Sequence, residues 1–251
     1  MTMVYLVTGV LGALIGSFLN VCIHRIPQGE SLVLPRSHCP HCQAVIRFYD
    51  NIPILSFLIL RGRCRQCGAG ISWRYPLVEA INTAGYIFLL WRFGLGWHLL
   101  VYALLFSALV VVTFIDLSHQ IVPDRITLPG MVIGILAAAT VLPAGLLNAL
   151  IGILLGGGLF YLVAVLSRGG MGGGDIKLIA MIGAFLGWRD VLLTIFIAAL
   201  TGSIVGLYLM IVLGKGRKYP VPFGPFLALG AVVSLCCGQQ IIAWYSQMGS
   251  Y

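Results

Sequence analysis

Residues 97–116 read WHLLVYALLFSALVVVTFID, an apolar run that contains no Lys, Arg or Glu and ends on an aspartate. The hydrocarbon core of a bilayer is about 30 Å thick and is crossed by a helix of about 20 mostly apolar residues, so this stretch predicts a transmembrane helix. The whole chain has the same character, with 60% hydrophobic residues, 9% charged residues and a mean hydropathy of +1.03. These values exclude an ordinary soluble domain and indicate a membrane protein.

Other apolar stretches bring the predicted number of membrane spans to eight. The apolar residues form long continuous runs, so we predict an all-α polytopic protein and not a transmembrane barrel. No basic segment precedes the first run and no small-residue cleavage site follows it, so we interpret it as a retained helix and not as a signal peptide. The predicted spans lie near residues 3–23, 76–91, 97–116, 126–142, 146–166, 174–188, 190–213 and 223–245.

The basic residues predict how these spans are oriented, because Lys and Arg in short loops remain in the cytoplasm. If the amino terminus lies outside, every Lys and Arg except Arg92 and Arg189 falls at the cytoplasmic face. Eight spans then leave both termini outside. The net charge of +8 is explained by a basic rim that faces anionic membrane lipid, and it requires no nucleic-acid partner.

The polar residues divide the chain into three predicted parts. Residues 1–23 form the first transmembrane helix, residues 24–75 form a small cytoplasmic module, and residues 76–251 form a transmembrane domain. The module holds almost half of the basic residues, which is the composition of a segment that stays in water.

Two Cys-x-x-Cys motifs lie in the module, Cys39 with Cys42 and Cys64 with Cys67. Four thiolates at such spacing can close a tetrahedral zinc site that has no open position, which indicates a structural metal and not a catalytic one. Two disulfides are the alternative, which a reducing cytoplasm disfavours. A histidine in place of one sulfur is a further alternative, and the candidates are His38 and His41.

The chain has only seven acidic residues, and an acid at membrane depth is a functional candidate because its burial there is costly. Asp116 ends the third predicted span and Asp175 begins the sixth, so both are expected at the cytoplasmic membrane edge. If packing brings them together, repulsion between like charges makes the two carboxylates share a proton. One can then take a proton from water while the other protonates a carbonyl oxygen, which is peptide hydrolysis without a metal.

A glycine-rich stretch precedes Asp175. Glycine permits positive φ and close approach of an extended substrate backbone, although a plain loop or a helix-packing surface is the alternative interpretation. Asp124, in the loop 117–125, is a second candidate for the first carboxylate, with a turn or a helix cap as the alternative role. The residues of the stretch considered for substrate contact are Gly172, Gly173, Gly174 and Lys177.

Several motifs in a fixed order give the chain a resemblance to the type IV prepilin peptidase family. The resemblance extends over nearly the whole sequence and includes the paired cysteines. The other matching segments are GSFLNV at 16–21, RIP at 25–27, NIP at 51–53, RGRC at 61–64, RYPLVE at 74–79, Asp116 with IVPD at 121–124, and GGGDIK at 172–177.

The resemblance implies an aspartic protease of the bacterial inner membrane that is also an N-methyltransferase. Members cleave prepilins and pseudopilins of type IV pilus and type II secretion systems at the cytoplasmic face, and they methylate the new amino terminus with S-adenosylmethionine. Carried onto matching positions, Asp116 and Asp175 are the catalytic pair, and Asp124 also matches a family aspartate. Gly62 and Glu79 are candidates for contact with S-adenosylmethionine, although Glu79 is equally interpretable as a carboxylate paired with Arg74 or as an anchor at a helix start.

Two other classes of protein share some of these features. A proton-coupled transporter also has apolar helices with a few buried acids. The predicted acids lie near one membrane face, however, and no inverted repeat relates the two halves of the sequence. A zinc-bearing scaffold of a secretion machine explains the cysteines but gives no role to Asp116 and Asp175.

Overall fold

The computed structural model describes residues 2–168, 170–216 and 219–248, and it describes no side chains for residues 246–248. Gly169 of the glycine-rich stretch and the cations Arg217 and Lys218 lie outside the described residues. Within these ranges the protein is all-α, as predicted, and the only β-type pairing is two isolated bridges.

The helices follow one another through short connections, apart from the module between the first and the third. A 3-10 turn, Phe48–Asn51, precedes α2 in that module. The described helices are α1 (Thr2–Arg25), α2 (Leu55–Ile59), α3 (Arg74–Phe93), α4 (Trp97–His119), α5 (Asp124–Thr140), α6 (Gly145–Leu166), α7 (Gly173–Leu186), α8 (Trp188–Ile211) and α9 (Gly224–Met248).

Among the described residues, five helices are long and apolar enough to cross a membrane, namely α1, α4, α6, α8 and α9. The chain is therefore a multi-pass membrane protein. The other three predicted spans coincide with α3, α5 and α7. Helix α3 contains Glu79 and two arginines, which lower its hydropathy. Helices α5 and α7 have 17 and 14 residues, or about 26 and 21 Å at 1.5 Å per residue.

The chain folds into two compact units that divide within α4, between Val111 and Val112. The division into residues 1–23, 24–75 and 76–251 was predicted from composition. It separates membrane segments from a segment in water, which is a different property from compactness, so it stays a prediction. Helix α3 belongs to the first unit because it packs along α1.

Glycines let α1 and α3 of the first unit approach closely. A Cβ added at Gly12 would lie 2.9 Å from the Cα of Thr83, and one at Gly16 would lie 2.8 Å from the Cα of Glu79. The buried side chain of Asn82 donates a hydrogen bond to the carbonyl of Gly12 at 2.8 Å. Small residues at a helix interface permit this packing in membranes, where the hydrophobic effect does not drive helices together.

Helix α7 forms the core of the second unit, where it contacts α5, α6, α8 and α9. Every residue from Leu178 to Leu186 is buried. At its crossing with α6, a Cβ added at Gly183 would lie 2.5 Å from the carbonyl carbon of Gly152. The neighbouring helices therefore surround α7 and fix the direction of its first turn, which carries Asp175.

Candidate active site and metal centre

The four cysteines of the two Cys-x-x-Cys motifs form one cluster in the first unit. The sulfurs of Cys39, Cys42, Cys64 and Cys67 all lie within 4.8 Å of one another, and those of Cys39 and Cys67 are 3.8 Å apart. Sulfurs that bind one zinc ion tetrahedrally at about 2.3 Å lie about 3.8 Å from each other. The cluster is compatible with zinc.

The backbone around each pair of cysteines has the same pattern of hydrogen bonds. The N–H of Cys39 donates to the carbonyl of Ala44 at 2.9 Å, and the N–H of Cys64 donates to the carbonyl of Ala69 at 2.8 Å. An isolated bridge flanks each turn, His38 with Val45 and Arg63 with Gly70. Two similar turns therefore present their sulfurs toward each other.

The cysteines of the cluster are reduced, and their thiols differ in pKa. All four cysteines are free thiols, so the structure does not contain the two disulfides considered as the alternative. Backbone N–H groups of Cys67 and Gln66 lower the pKa of the Cys64 thiol to about 7. A lower pKa favours the thiolate of Cys64, the form that binds metal. At Cys67 the backbone N–H of Ala69 acts to lower the pKa, but desolvation and the neighbouring thiols outweigh it and raise the pKa to about 11. Neither His38 nor His41 belongs to the cluster.

Glu79 lies 7% exposed on α3 and anchors the module. Its carboxylate accepts a hydrogen bond of 2.7 Å from the backbone N–H of Ile54. Ile54 has a φ of +61°, a conformation that is strained for a β-branched residue. The predicted role of Glu79 as an anchor thus has a concrete partner, while contact with a cofactor stays a prediction.

Gly62 occupies a turn beside the second pair of cysteines. Its φ is +67°, and a Cβ added there would lie 3.0 Å from the ring of Phe57. Its carbonyl accepts a hydrogen bond of 2.7 Å from the N–H of Ile71. The backbone conformation explains why this position suits glycine.

A cavity of about 920 Å³ lies in the first unit, lined by residues of α1, the module and the start of α3. Its volume falls within the range of small-molecule sites. Both signs of charge line it, with Arg74 and Glu79 among the lining residues. The Nε of Arg74 is buried and has no hydrogen-bond partner in the described part of the chain.

Asp116 lies in the last turn of α4, within the second unit, and is only 4% exposed. Its Oδ2 accepts a hydrogen bond of 2.8 Å from the backbone N–H of Gly224, the first residue of α9. A Cβ added at Gly224 would lie 2.7 Å from the same oxygen. The carboxylate is therefore held against the beginning of another helix.

Asp175 lies in the first turn of α7 in the same unit. Its backbone N–H donates to the carbonyl of Gly172 at 3.1 Å. The Asp116 carboxylate belongs to the same unit and lies within electrostatic range of that of Asp175.

The glycines before Asp175 differ in their surroundings. A Cβ added at Gly174 would lie 2.7 Å from the Cβ of Val122, in the loop before α5. One at Gly173 would meet nothing within 4 Å, and one at Gly172 would lie 3.4 Å from Oδ2 of Asp175. Gly174 is thus required for packing at the start of α7, whereas Gly172 and Gly173 leave space beside the carboxylate.

Asp124 begins α5 and forms a salt bridge with Lys177 of α7, with a nitrogen to oxygen distance of 2.7 Å. The side chains of Asp124 and Lys177 are 55% and 42% exposed. The pair joins the starts of two helices in the second unit. The helix cap considered for Asp124 is wrong, because Pro123 occupies the cap position and no side chain caps the helix. The salt bridge instead gives both Asp124 and Lys177 a partner other than substrate.

Gly224 is the residue of this site that the sequence analysis did not single out. It lies in the segment PVPFGPF at 220–226, where three prolines surround a glycine at the start of an apolar span. A glycine among prolines at a helix start is the one signal that points to a special backbone position there.

The sequence of the chain is similar to those of known proteins over most of its length. Residues 10–93 match the bacterial Peptidase A24 N-terminal domain, and residues 103–207 match the type IV leader peptidase family. The chain is 38% identical to a prepilin leader peptidase/N-methyltransferase of Legionella pneumophila, over 96% of this chain and 94% of the relative. It is 37% identical to one of Pseudomonas aeruginosa, over 98% and 94% of the two chains.

No solved structure matches the chain significantly. The two family matches cover the part with the cysteine cluster and the part with both Asp116 and Asp175. The similarity to the relatives also extends over nearly the full length of both chains. This protein is therefore a member of the type IV leader peptidase family.

Proposed function

We propose that this protein removes the leader peptide of type IV prepilins or pseudopilins and then methylates the new amino terminus. The observation that carries the protease activity is the pair of Asp116 and Asp175, which the second unit holds close enough to interact. The family relationship supports both activities, since the relatives are prepilin leader peptidase/N-methyltransferases. A proton-coupled transporter has no comparable support.

The chemistry of cleavage follows from the two carboxylates. Water attacks the carbonyl carbon of the scissile bond while one carboxylate takes a proton from it and the other gives a proton to the carbonyl oxygen. The resulting intermediate loses its amine when a proton passes to the nitrogen. Burial of Asp116 excludes bulk water, which strengthens electrostatic interactions in the site.

The expected substrate suits a site at a membrane edge. A basic leader followed by a long apolar helix would keep its leader in the cytoplasm and place its apolar part among the spans. We propose eight spans in the bacterial inner membrane, with α3, α5 and α7 included and the catalytic pair toward the cytoplasm. The distribution of Lys and Arg supports this orientation.

Methyl transfer is assigned to the first unit. When bound, S-adenosylmethionine supplies an electrophilic methyl group, and the protein need only position it against an amine. In the cavity of this unit, Arg74 would hold a carboxylate and Glu79 would face positive charge. The unpaired Nε of Arg74 and the two signs of charge fit such a ligand. The role proposed for zinc is structural, in holding the module in its fold.

Prepilin cleavage by the protein in oriented membrane vesicles tests both the proposed function and the orientation of the catalytic pair in the membrane. Inside-out vesicles that contain the protein are expected to shorten a prepilin added from outside and, with S-adenosylmethionine present, to add about 14 Da at the new amino terminus, the mass of one methylene group. Sealed right-side-out vesicles are expected to leave the prepilin intact. Mass spectrometry reads both changes. Cleavage only in right-side-out vesicles would reverse the orientation, and no cleavage in either would refute the protease.

A Glu79→Gln variant tests the placement of methyl transfer. Glutamine retains an oxygen that can accept the N–H of Ile54 but removes the charge that faces the cavity. We expect affinity for S-adenosylmethionine, measured by isothermal titration calorimetry, to fall about tenfold, the size of one charge-assisted contact. Cleavage is expected to stay near wild type. Unchanged affinity would exclude Glu79 from the cofactor site.

A further inference from the structure

The two carboxylates of the proposed dyad have unequal hydrogen bonding. Oδ2 of Asp116 accepts the backbone N–H of Gly224 at 2.8 Å in a buried setting. Among the described residues, the Asp175 carboxylate accepts no hydrogen bond that would match it. A hydrogen-bond donor to a carboxylate stabilises its ionised form. The bond from Gly224 therefore stabilises ionised Asp116 more than ionised Asp175.

The dipoles of nearby helix ends also act on Asp116 and Asp175, but they do not outweigh the difference in hydrogen bonding. Asp175 lies at the start of α7, where the helix dipole favours negative charge, whereas Asp116 lies between the end of α4 and the start of α9, whose dipoles oppose each other. A direct hydrogen bond to a charged group contributes more than the dipole of a helix end. The bond from Gly224 therefore dominates.

Neighbouring charged side chains do not change which of the two carboxylates is better stabilised in its ionised form. Asp124 of α5 and Lys177 of α7 neutralise each other in their salt bridge. His119 is exposed at the end of α4, and α9 carries no charged side chain from Gly224 to Tyr245. The charged neighbour that remains for Asp175 is Asp116.

We propose that the backbone N–H of Gly224 makes Asp116 the base of the dyad and leaves Asp175 as the acid. This assignment rests on the proposed protease activity. With Oδ2 bound to Gly224, Oδ1 of Asp116 takes a proton from water as the new C–O bond forms, and Asp175 protonates the carbonyl oxygen. When the C–N bond breaks, Asp116 gives its proton to the leaving nitrogen, and Asp175 recovers one from the hydroxyl that becomes the new carbonyl.

Gly224 is a positioning residue in this scheme, since it acts through Asp116 and not on the substrate. Glycine is needed because a Cβ at this position would lie 2.7 Å from the carboxylate oxygen. The N–H itself is available because the first N–H groups of a helix have no partner within that helix. Its removal takes no donor from the α9 ladder, although the Phe223 carbonyl of the same peptide group accepts from Phe226 and Leu227 at 3.1 Å.

The sharpest test replaces the amide N–H of Gly224 by an ester oxygen, through incorporation of glycolic acid at position 224 by nonsense suppression. This change adds no volume. We expect the acidic limb of the kcat/KM profile to move to higher pH by about one to two units, the size of one hydrogen bond to a charged group. The basic limb is expected to stay in place, and KM to change less than kcat.

A second variant, Gly224→Ala, keeps the N–H but displaces the carboxylate, and it is expected to lower kcat at least about tenfold. The control is Gly158→Ala on α6, where a Cβ would meet nothing within 4 Å. Circular dichroism and thermal unfolding of each purified variant verify that it is folded. An unmoved acidic limb, or a shift of the basic limb instead, would overturn the assignment. A wild-type protein that fails to cleave at any pH would instead refute the proposed function.

Discussion

The Asp116→Asn and Asp175→Asn variants are expected to lose prepilin cleavage by a factor of about 10³ or more. Asparagine preserves the shape of each side chain but can neither take nor give the proton that the reaction requires. In the Asp116→Asn variant the amide oxygen would still accept the N–H of Gly224, so the local packing should survive. Single-turnover cleavage of a purified prepilin, followed by mass spectrometry, measures the loss.

The matched control for these variants is Asp124→Asn, because Asp124 lies in the same unit but pairs with Lys177. An exposed ion pair contributes about 1 kcal/mol or less to stability. We therefore expect Asp124→Asn to retain cleavage within about tenfold of wild type. If Asp116→Asn cleaves normally while Asp124→Asn does not, Asp124 is the first carboxylate. If all three cleave normally, the dyad is refuted.

Removal of zinc is expected to have the second large effect. Structural zinc contributes about 10–16 kcal/mol to the folding of small zinc modules, as much as the whole stability of a typical domain. A Cys64→Ser variant should lose its metal, and the module should unfold. We expect S-adenosylmethionine binding and methylation to fall by about a hundredfold or more. Cleavage should fall less, since both carboxylates belong to the other unit.

The control for the zinc experiment is Cys237→Ser, which alters an exposed cysteine of α9 outside the cluster. Metal analysis of the purified proteins is expected to find about one zinc ion per chain in the wild type and in the control, as one closed four-sulfur site requires. A Cys64→Ser protein that retains a full complement of zinc would contradict the assignment of that ligand. A wild type purified without any bound metal would contradict the zinc site as a whole.

The parts of this protein that depend on local sequence were predictable. The long apolar runs predicted an all-α membrane protein because a bilayer leaves a helix as the only way to satisfy the backbone of a single apolar segment. The cysteine cluster was predictable for a similar reason, since each Cys-x-x-Cys pair is formed by one turn and only two turns must meet. The scarcity of acids singled out Asp116 and Asp175, whose catalytic role stays a prediction.

Tertiary structure alone decided which distant residues meet. Two examples are the salt bridge between Asp124 and Lys177 and the hydrogen bond from Ile54 to Glu79. In both, the local sequence around one residue does not predict its partner. The same is true of Gly224, which approaches Asp116 because α9 begins beside the end of α4. Sequence determines a helix through neighbours a few residues apart, whereas the packing of many helices determines which helix ends share a site.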